Sequence, residues 1–182
     1  MKEVVLGLDI STSKVGICIM DYKFNLLETE LLKLDTKSEL EDRCLQIEEY
    51  INKINYLDKI NEDGYIIKNV YIESAFIAFS GGKTSAVTMS KLQRFNGMVC
   101  FMLRKLFGFN SISLSPAKAR GLVHLKIKRG ENTKQKVIEH VEKAFPNDFK
   151  YELTSHGNPK PGTDDRADAI VIAWAGLNQR KS

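Results

Sequence analysis

Residues 4–20 read VVLGLDISTSKVGICIM, two apolar runs separated by a short polar turn. The first run, Val4–Leu8, is a β-branched apolar segment typical of a buried strand, and it ends at Asp9. The second run, Val15–Met20, predicts another strand directly after the turn. A third extended run follows over Phe24–Leu34, so these segments predict an antiparallel three-stranded meander.

Helices and further strands alternate after the meander. Apolar residues at helical spacing predict a long helix, and Ser38 with Glu41 three residues later matches a capping box at its start. The other predicted elements are a strand over Val70–Ile72 that ends at Glu73, an apolar helix over Thr84–Phe107, a short strand over Ser111–Leu114, and helices that begin near Pro116, Thr133 and Asp164.

The order of these elements, β-β-β-α-β-α-β-α, predicts an α/β protein with helices packed against a sheet. The sheet is expected to be mixed and five-stranded, with the antiparallel meander extended by two parallel strands. This order matches an RNase H-like fold. We expect a single domain of this type over residues 1–182.

Composition excludes several other classes of protein. The chain has 182 residues, 43% of them hydrophobic and 27% charged, which is enough to bury one core without disulfide or metal staples. Only 4 prolines occur, so collagen-like, low-complexity and disordered classes are excluded. No apolar run approaches the roughly 20 residues of a membrane span, and no secretory signal is visible, so we expect a cytoplasmic protein.

Cysteine and histidine usage gives no sign of a disulfide framework or a zinc site. The three cysteines, Cys18, Cys44 and Cys100, are far apart and have apolar neighbours, which favours reduced packing thiols. The three histidines are equally dispersed. The chain has no spacing typical of zinc ligands.

The positive charge is concentrated in one segment. The net charge of the chain is +4, whereas residues 118–136 carry seven basic residues against Glu131 alone. Such a cluster indicates a surface for a polyanion such as nucleic acid, or else a solvated loop and helix face. The basic residues are Lys118, Arg120, Lys126, Lys128, Arg129, Lys134 and Lys136.

Carboxylates end two predicted strands and crowd the start of the last helix. Asp9 and Glu73 follow apolar strands, and they would lie close together if the first and fourth strands are neighbours. Asp165 and Asp168 are three residues apart and so share a helix face. Each strand carboxylate could instead be the first solvated residue after its strand, and acidic residues in a first helical turn are favoured by the macrodipole. Asp168 fits that alternative less well, because it lies one turn into an otherwise apolar helix.

Four such carboxylates have the ligand chemistry of a two-metal site. Mg²⁺ and Mn²⁺ are hard cations that take oxygen ligands, and paired ions about 3.5–4 Å apart promote in-line phosphodiester hydrolysis. The basic segment would hold the phosphates of the substrate.

The sequence resembles the RuvC family of Holliday-junction resolvases over most of its length. The resemblance lies in three ordered motifs: Leu6–Asp9, Tyr71–Phe76 and Asp165–Ile170. It implies a homodimeric, Mg²⁺-dependent endonuclease that also accepts Mn²⁺ and cuts paired strands of four-way junctions. Other forms of branched DNA are further candidate substrates. The implied ligands of two metal ions per site are Asp9, Glu73, Asp165 and Asp168. The compact chain is similar to phage-type members, which would place it in the host cytoplasm.

The resemblance also implies roles for residues outside the acidic cluster. Phe76 matches an aromatic that stacks on bases near the junction, although a core aromatic is the alternative. Lys134 matches a catalytic lysine that contacts the scissile phosphate, and Arg120 matches a second basic contact. The other predicted nucleic-acid contacts are Lys118, Lys126, Lys128 and Arg129.

This chain departs from the family pattern at three places. The family usually has Pro-Gly after the first aspartate, whereas Ile10 and Ser11 follow here. Asp164 adds a carboxylate next to Asp165 and leaves open which of them is the ligand, although the spacing favours Asp165. The Thr84–Phe107 helix matches the dimer element and is apolar enough either to form that interface or to fill the core.

Three other functions remain open from sequence. The Gly-x-Asp strand and Ser/Thr-rich turn also suit an ATP-binding module of the sugar-kinase, actin and Hsp70 type, but that family needs two such lobes. A related RNase H-like nuclease would act on RNA or an RNA–DNA hybrid. A DNA-binding module without catalysis would use the same basic surface and would not need Mg²⁺.

Overall fold

Strands and helices follow one another in the predicted order. The computed structural model describes residues 2–60, 65–74 and 86–180, with the backbone only for 55–60. Its elements are β1 (Lys2–Ile10), β2 (Lys14–Asp21), β3 (Leu26–Lys33), α1 (Leu40–Ile60), β4 (Tyr65–Glu73), α2 (Ala86–Phe107), β5 (Ile112–Leu114), α3 (Pro116–Leu122), α4 (Thr133–Ala144) and α5 (Thr163–Gln179).

The strands form one mixed sheet in the order β3-β2-β1-β4-β5. β1 pairs antiparallel with β2, which in turn pairs antiparallel with β3. On its other side β1 pairs parallel with β4, and β4 pairs parallel with β5. The predicted meander with two parallel additions is confirmed, and the first and fourth strands are neighbours, which is the condition for Asp9 and Glu73 to lie close together.

Each face of the sheet is covered by helices. Because side chains alternate along a strand, Leu6 and Leu8 of β1 pack with α1 and α2, whereas Val5 lies on the opposite face among residues of α3, α4 and α5. Gly7 and Asp9 share the face of Val5. The carboxylate of Asp9, near the end of β1, therefore points toward the α5 side of the sheet.

Two glycines allow α5 to lie directly on the sheet. A Cβ atom added at Gly7 would lie 2.8 Å from the Cβ atom of Ala173, and one added at Gly16 would lie 2.6 Å from the carbonyl carbon of Asp165. Neither position has room for a larger side chain. The first turns of α5 are thus held over the ends of β1 and β2.

The start of α1 differs from the prediction. The prediction of a capping box between Ser38 and Glu41 is wrong. The Ser38 hydroxyl and amide both donate to the carbonyl of Asp35, at 2.8 and 3.2 Å. The buried guanidinium of Arg43 donates instead to the carbonyls of Ser38 and Thr12. Arg43 therefore ties the turn after β1 to the first turn of α1.

Helix α2 has a core face and an exposed face. Phe95, Val99 and Leu103 are buried against the sheet, whereas Val87 and Phe101 are exposed. The predicted role in the core is confirmed for the first face. The second face is open in the single chain.

The state of the cysteines and the character of the helices agree with what the composition predicts. Cys18 and Cys44 are buried and Cys100 is half-buried, and all three are free thiols, as predicted. No helix in the described ranges combines the length and apolar character that a bilayer span requires.

Candidate active site

The register of the sheet places Asp9 beside Glu73. Leu8 of β1 pairs with Ile72 of β4 in parallel, so the next residue of each strand lies at the same level. Asp9 shares its face of the sheet with Val5, and Glu73 shares it with Tyr71. Both carboxylates therefore lie on the α5 face, at the edge where the parallel strands end.

Helix α5 brings three more carboxylates to this edge. Asp9 pairs across the strands with Gly16, and the backbone of Asp165 lies directly over Gly16. The first turns of α5 hold Asp164, Asp165 and Asp168, all half-buried. Residues that are about 150 positions apart in the chain thus form one acidic cluster: Asp9, Glu73, Asp164, Asp165 and Asp168.

The carboxylates of the cluster lie close enough together to shift one another's pKa. Burial first, and then repulsion from the nearby carboxylates with Glu73 foremost, together raise the pKa of Asp9 from 3.8 to about 8. Burial, followed by repulsion from Glu73 and the α5 aspartates, raises the pKa of Asp168 to about 7. Burial also raises the pKa of Glu73, partly opposed by the positive charge of Arg120. Burial and mutual repulsion therefore disfavour full ionisation of the cluster in the metal-free protein.

Two lysines pair with the α5 aspartates. The ammonium of Lys134 forms an ion pair with Asp164 and that of Lys14 with Asp165. Burial opposes ionisation of Asp164, but the hydrogen bond and charge of Lys134 outweigh it and lower the pKa of that carboxyl. The hydrogen bond from Lys134 to Asp164 raises the lysine pKa in turn.

Sequence reasoning did not single out Lys14. The only signal was its place at the end of the polar turn that follows Asp9, and a lysine in a turn is ordinarily a surface residue. Its contact with Asp165 depends on the packing of α5 over β2, which the order of residues does not show.

The carboxylates of the acidic cluster are suitable ligands for hard cations, although they do not form a complete coordination site. Within the three described ranges, no three acidic, histidine or cysteine side chains stand close enough together to hold a metal ion. The carboxylate oxygens of Asp9, Glu73, Asp165 and Asp168 are nevertheless ligands of the type that Mg²⁺ and Mn²⁺ take, and a divalent cation would stabilise their ionised forms.

The basic segment borders the acidic cluster at two points. Arg120 of α3 lies close enough to Glu73 to affect its pKa, and Lys134 at the start of α4 pairs with Asp164. Lys136 is engaged by Glu131 and Glu139. The other basic residues are exposed on α3 or the loop before α4: Lys118, Lys126, Lys128 and Arg129. Phe76, the predicted base contact, lies outside the described residues.

The raised pKa values predict how the stability of the metal-free protein changes with pH. A carboxyl with a higher pKa in the folded chain binds more protons when folded, so stability falls as pH rises between the unfolded value, 3.8, and the folded values of about 7 and 8. We expect the Tm in EDTA to be at least about 5 °C higher at pH 5 than at pH 8. Differential scanning fluorimetry measures this change.

The same experiment has an internal control. Asp9→Asn removes one of the carboxyl groups whose pKa is raised, so the difference in Tm between pH 5 and pH 8 should shrink in that variant. An equal Tm at the two pH values in the parent protein would contradict the prediction.

Comparison with known proteins finds similarity in structure and none in sequence. No protein-family model and no curated protein matches the chain. Thermus thermophilus RuvC in complex with a Holliday-junction substrate matches with a TM-score of 0.64 and 16% identity, over 99% of this chain and 96% of that one. Another Thermus thermophilus RuvC structure matches with a TM-score of 0.62 and 18% identity, over 98% and 96%.

A third structure extends the comparison to a eukaryote. The yeast mitochondrial Holliday-junction resolvase Ydc2 matches with a TM-score of 0.55 and 16% identity, over 97% of this chain and 78% of that one. These structures come from Thermus thermophilus and yeast, so the resemblance to phage-type members stays a prediction. At these identities the similarity concerns the fold, and the chain has the RNase H-like fold in the arrangement found in RuvC.

Proposed function

We propose that the protein is a metal-dependent endonuclease that cuts four-way DNA junctions. The observation that carries the proposal is the acidic cluster at the edge of the sheet, bordered by the basic segment of α3 and α4. Supporting it, the fold is that of RuvC, and one of the matching RuvC structures holds a Holliday junction. Acidic side chains beside cationic ones suit a phosphodiester that must be held while metal ions act on it.

We assign the metal ions, two Mg²⁺ or Mn²⁺, to Asp9, Glu73, Asp165 and Asp168. Bound there, such ions would activate water and stabilise the leaving oxygen of the phosphodiester. Asp9 and Asp168 must lose their protons to act as ligands, and their raised pKa values mean that neutral to alkaline pH favours this loss. Asp164 and Asp165 are each paired with a lysine, so the choice of Asp165 as the ligand follows the spacing of the resemblance.

The basic residues are proposed to hold the DNA. Lys134 is 71% exposed and adjoins the acidic cluster, so its ammonium can leave Asp164 and contact the phosphate that is cut. Arg120 lies near Glu73 and supplies a second contact there. The exposed Lys118, Lys126, Lys128 and Arg129 extend this surface along the arms of the junction, and Phe76 is proposed to stack on its bases.

Paired cuts in a junction require two active sites, so we propose a homodimer. The exposed side chains of Val87 and Phe101 lie on α2, the helix that the sequence resemblance matched to the dimer element. Large apolar side chains at 78% and 68% exposure are costly in water and suit a contact between copies. We place the protein, as a nuclease of DNA, in the cytoplasm.

Cleavage of labelled substrates tests the proposal. The full chain is incubated with a synthetic four-way junction, a linear duplex of matching sequence and an RNA–DNA hybrid, each with Mg²⁺ and with EDTA. We expect paired nicks in the junction that require Mg²⁺, with little cutting of the duplex. Preferred cutting of the hybrid would indicate a nuclease of the RNase H class. Binding of the junction without cutting, with Mg²⁺ and with EDTA, would indicate a binding module. ATP hydrolysis without cleavage would favour the kinase-like alternative.

Lys134→Ala should impair cleavage more than folding. Loss of one phosphate contact is expected to slow junction cleavage about tenfold or more and to reduce the slope of log affinity against log salt by about 0.9. The Tm should change little, because an ion pair of an exposed lysine contributes about 1 kcal/mol or less. Cleavage rates and salt-dependent fluorescence anisotropy measure these effects.

Lys143→Ala is the matched control for this variant. Lys143 lies in the last turn of the same helix, away from the acidic cluster, and is exposed. It should leave the cleavage rate unchanged. Equal effects of the two substitutions would contradict a specific role for Lys134.

A further inference from the structure

We propose that Lys14 is a built-in counter-cation of the active site, which holds Asp165 in the metal-free protein and competes with metal ions for it. The proposal rests on the proposed function and adds a control on metal affinity. It assigns to Lys14 a role in positioning Asp165, without contact to the substrate.

The backbone directs Lys14 toward Asp165. Lys14 begins β2, and Gly16 is the next residue on the same face of that strand. The backbone of Asp165 lies over Gly16, so the Lys14 side chain emerges beside the first turn of α5. The ion pair between the Lys14 ammonium and Asp165 follows from this packing.

The turn that carries Lys14 is itself held in place. The Ser11 hydroxyl accepts a hydrogen bond from the Lys14 amide at 3.2 Å and donates to the Lys14 carbonyl at 2.9 Å. Between them, the carbonyl of Thr12 accepts a 2.6 Å hydrogen bond from the buried Arg43. Since both ends of the turn are anchored, the backbone of Lys14 has a defined position, and its ammonium is held by the ion pair with Asp165.

The surroundings of Asp165 make this cation necessary. The Asp165 side chain is 12% exposed and interacts electrostatically with Asp9 and Asp168, so its charge needs a partner. Lys14 supplies that partner with a side chain that is 32% exposed. A divalent ion bound by Asp165 would repel the ammonium, so metal binding must displace Lys14 or weaken its contact. Metal and lysine therefore compete for one carboxylate.

Lys134 differs from Lys14 in how firmly it is held. The Lys134 side chain is 71% exposed and comes from a separate helix, so it can move into solvent at little cost. Its partner is Asp164, which we do not assign as a metal ligand. The competition with metal is thus assigned to Lys14.

Titration with Mn²⁺ tests the proposal without any substrate. Lys14→Met keeps the apolar stem and removes the charge, and isothermal titration calorimetry measures its affinity for Mn²⁺. We expect Mn²⁺ to bind Lys14→Met about fivefold more tightly than the parent, the effect of losing a partly exposed ion pair that competes. We also expect a lower Tm in EDTA and a larger rise in Tm on adding Mn²⁺.

Two further variants separate charge competition from other effects. Lys14→Arg keeps the charge, so its Mn²⁺ affinity should stay close to that of the parent. Lys33→Met removes the same charge from the cross-strand neighbour of Lys14, which is exposed and forms no ion pair within the described ranges. It should affect Mn²⁺ affinity less than twofold, since screening weakens exposed charges that are not in contact.

The outcomes distinguish this proposal from the proposed function. If the parent binds Mn²⁺ but Lys14→Met binds it equally or more weakly, the competition is disproved and the metal-dependent activity stands. An equal gain in affinity in Lys33→Met would also overturn it, because general charge would then explain the effect. If neither protein binds Mn²⁺ at millimolar concentration, both proposals fail together.

Discussion

Asp9→Asn is expected to slow cleavage of a four-way junction by about 1,000-fold or more while the protein still binds the junction. Asp9 interacts with all four other carboxylates of the acidic cluster, and it lies near the end of β1, the strand at the centre of the sheet. Asparagine keeps the shape but removes the negative charge that a metal ion requires. Single-turnover cleavage with Mg²⁺ measures the rate, and fluorescence anisotropy in EDTA measures binding.

Stability distinguishes loss of chemistry from loss of folding in this variant. Because Asp9 is repelled by its neighbours, Asp9→Asn should raise the Tm in EDTA at pH 8. Asp148→Asn serves as the matched control, since Asp148 is exposed in the loop after α4 and should leave cleavage unchanged. A cleavage rate of Asp9→Asn within tenfold of the parent would overturn the assignment of Asp9 as a metal ligand.

Gly16→Ala is expected to destabilise the protein by about 3 kcal/mol and to impair cleavage as well. The added Cβ atom would lie 2.6 Å from the carbonyl carbon of Asp165, and backbone cannot move aside as a flexible side chain can. Helix α5 must therefore shift away from β2. That shift would move Asp165 and Asp168 relative to Asp9. Urea denaturation gives the change in free energy of unfolding.

Gly97→Ala controls for the general effect of replacing glycine with alanine. Gly97 lies within α2, and a Cβ atom added there meets nothing within 4 Å. Alanine favours helix over glycine by up to about 1 kcal/mol, so this variant should be as stable as the parent or more stable. Wild-type stability of Gly16→Ala would contradict the close contact between α5 and β2.

Much of the fold was predictable because its signals are local. The apolar alternation of residues 4–20 and the helical spacing after Leu40 each lie within one segment, and such periodicity reflects burial of one face. The capping box at Ser38 failed for the opposite reason. The Ser38 hydroxyl donates to the carbonyl of Asp35 in the preceding turn, and the Arg43 guanidinium donates to the carbonyl of Ser38. A motif of two residues does not reveal these partners.

The candidate site was predictable in its residue types and only partly in its contacts. Asp9 and Glu73 could be selected because charged residues that end apolar strands are costly unless they serve a purpose. Their adjacency followed once the first and fourth strands were taken as neighbours. The lysine partners of Asp164 and Asp165 could not be assigned in the same way, because a lysine is common on any surface and its partner depends on packing.

Residue type and spacing were enough to predict the order of elements, the acidic residues near the strand ends and the segment that concentrates positive charge. These features depend on residue type and spacing, which act over a few residues. Tertiary structure decided that Lys14 meets Asp165, 151 residues away, and that Gly16 brings α5 onto the sheet. Such contacts exist only after the sheet has formed and the helix has packed on it, because close approach of backbones is a property of the assembled layers.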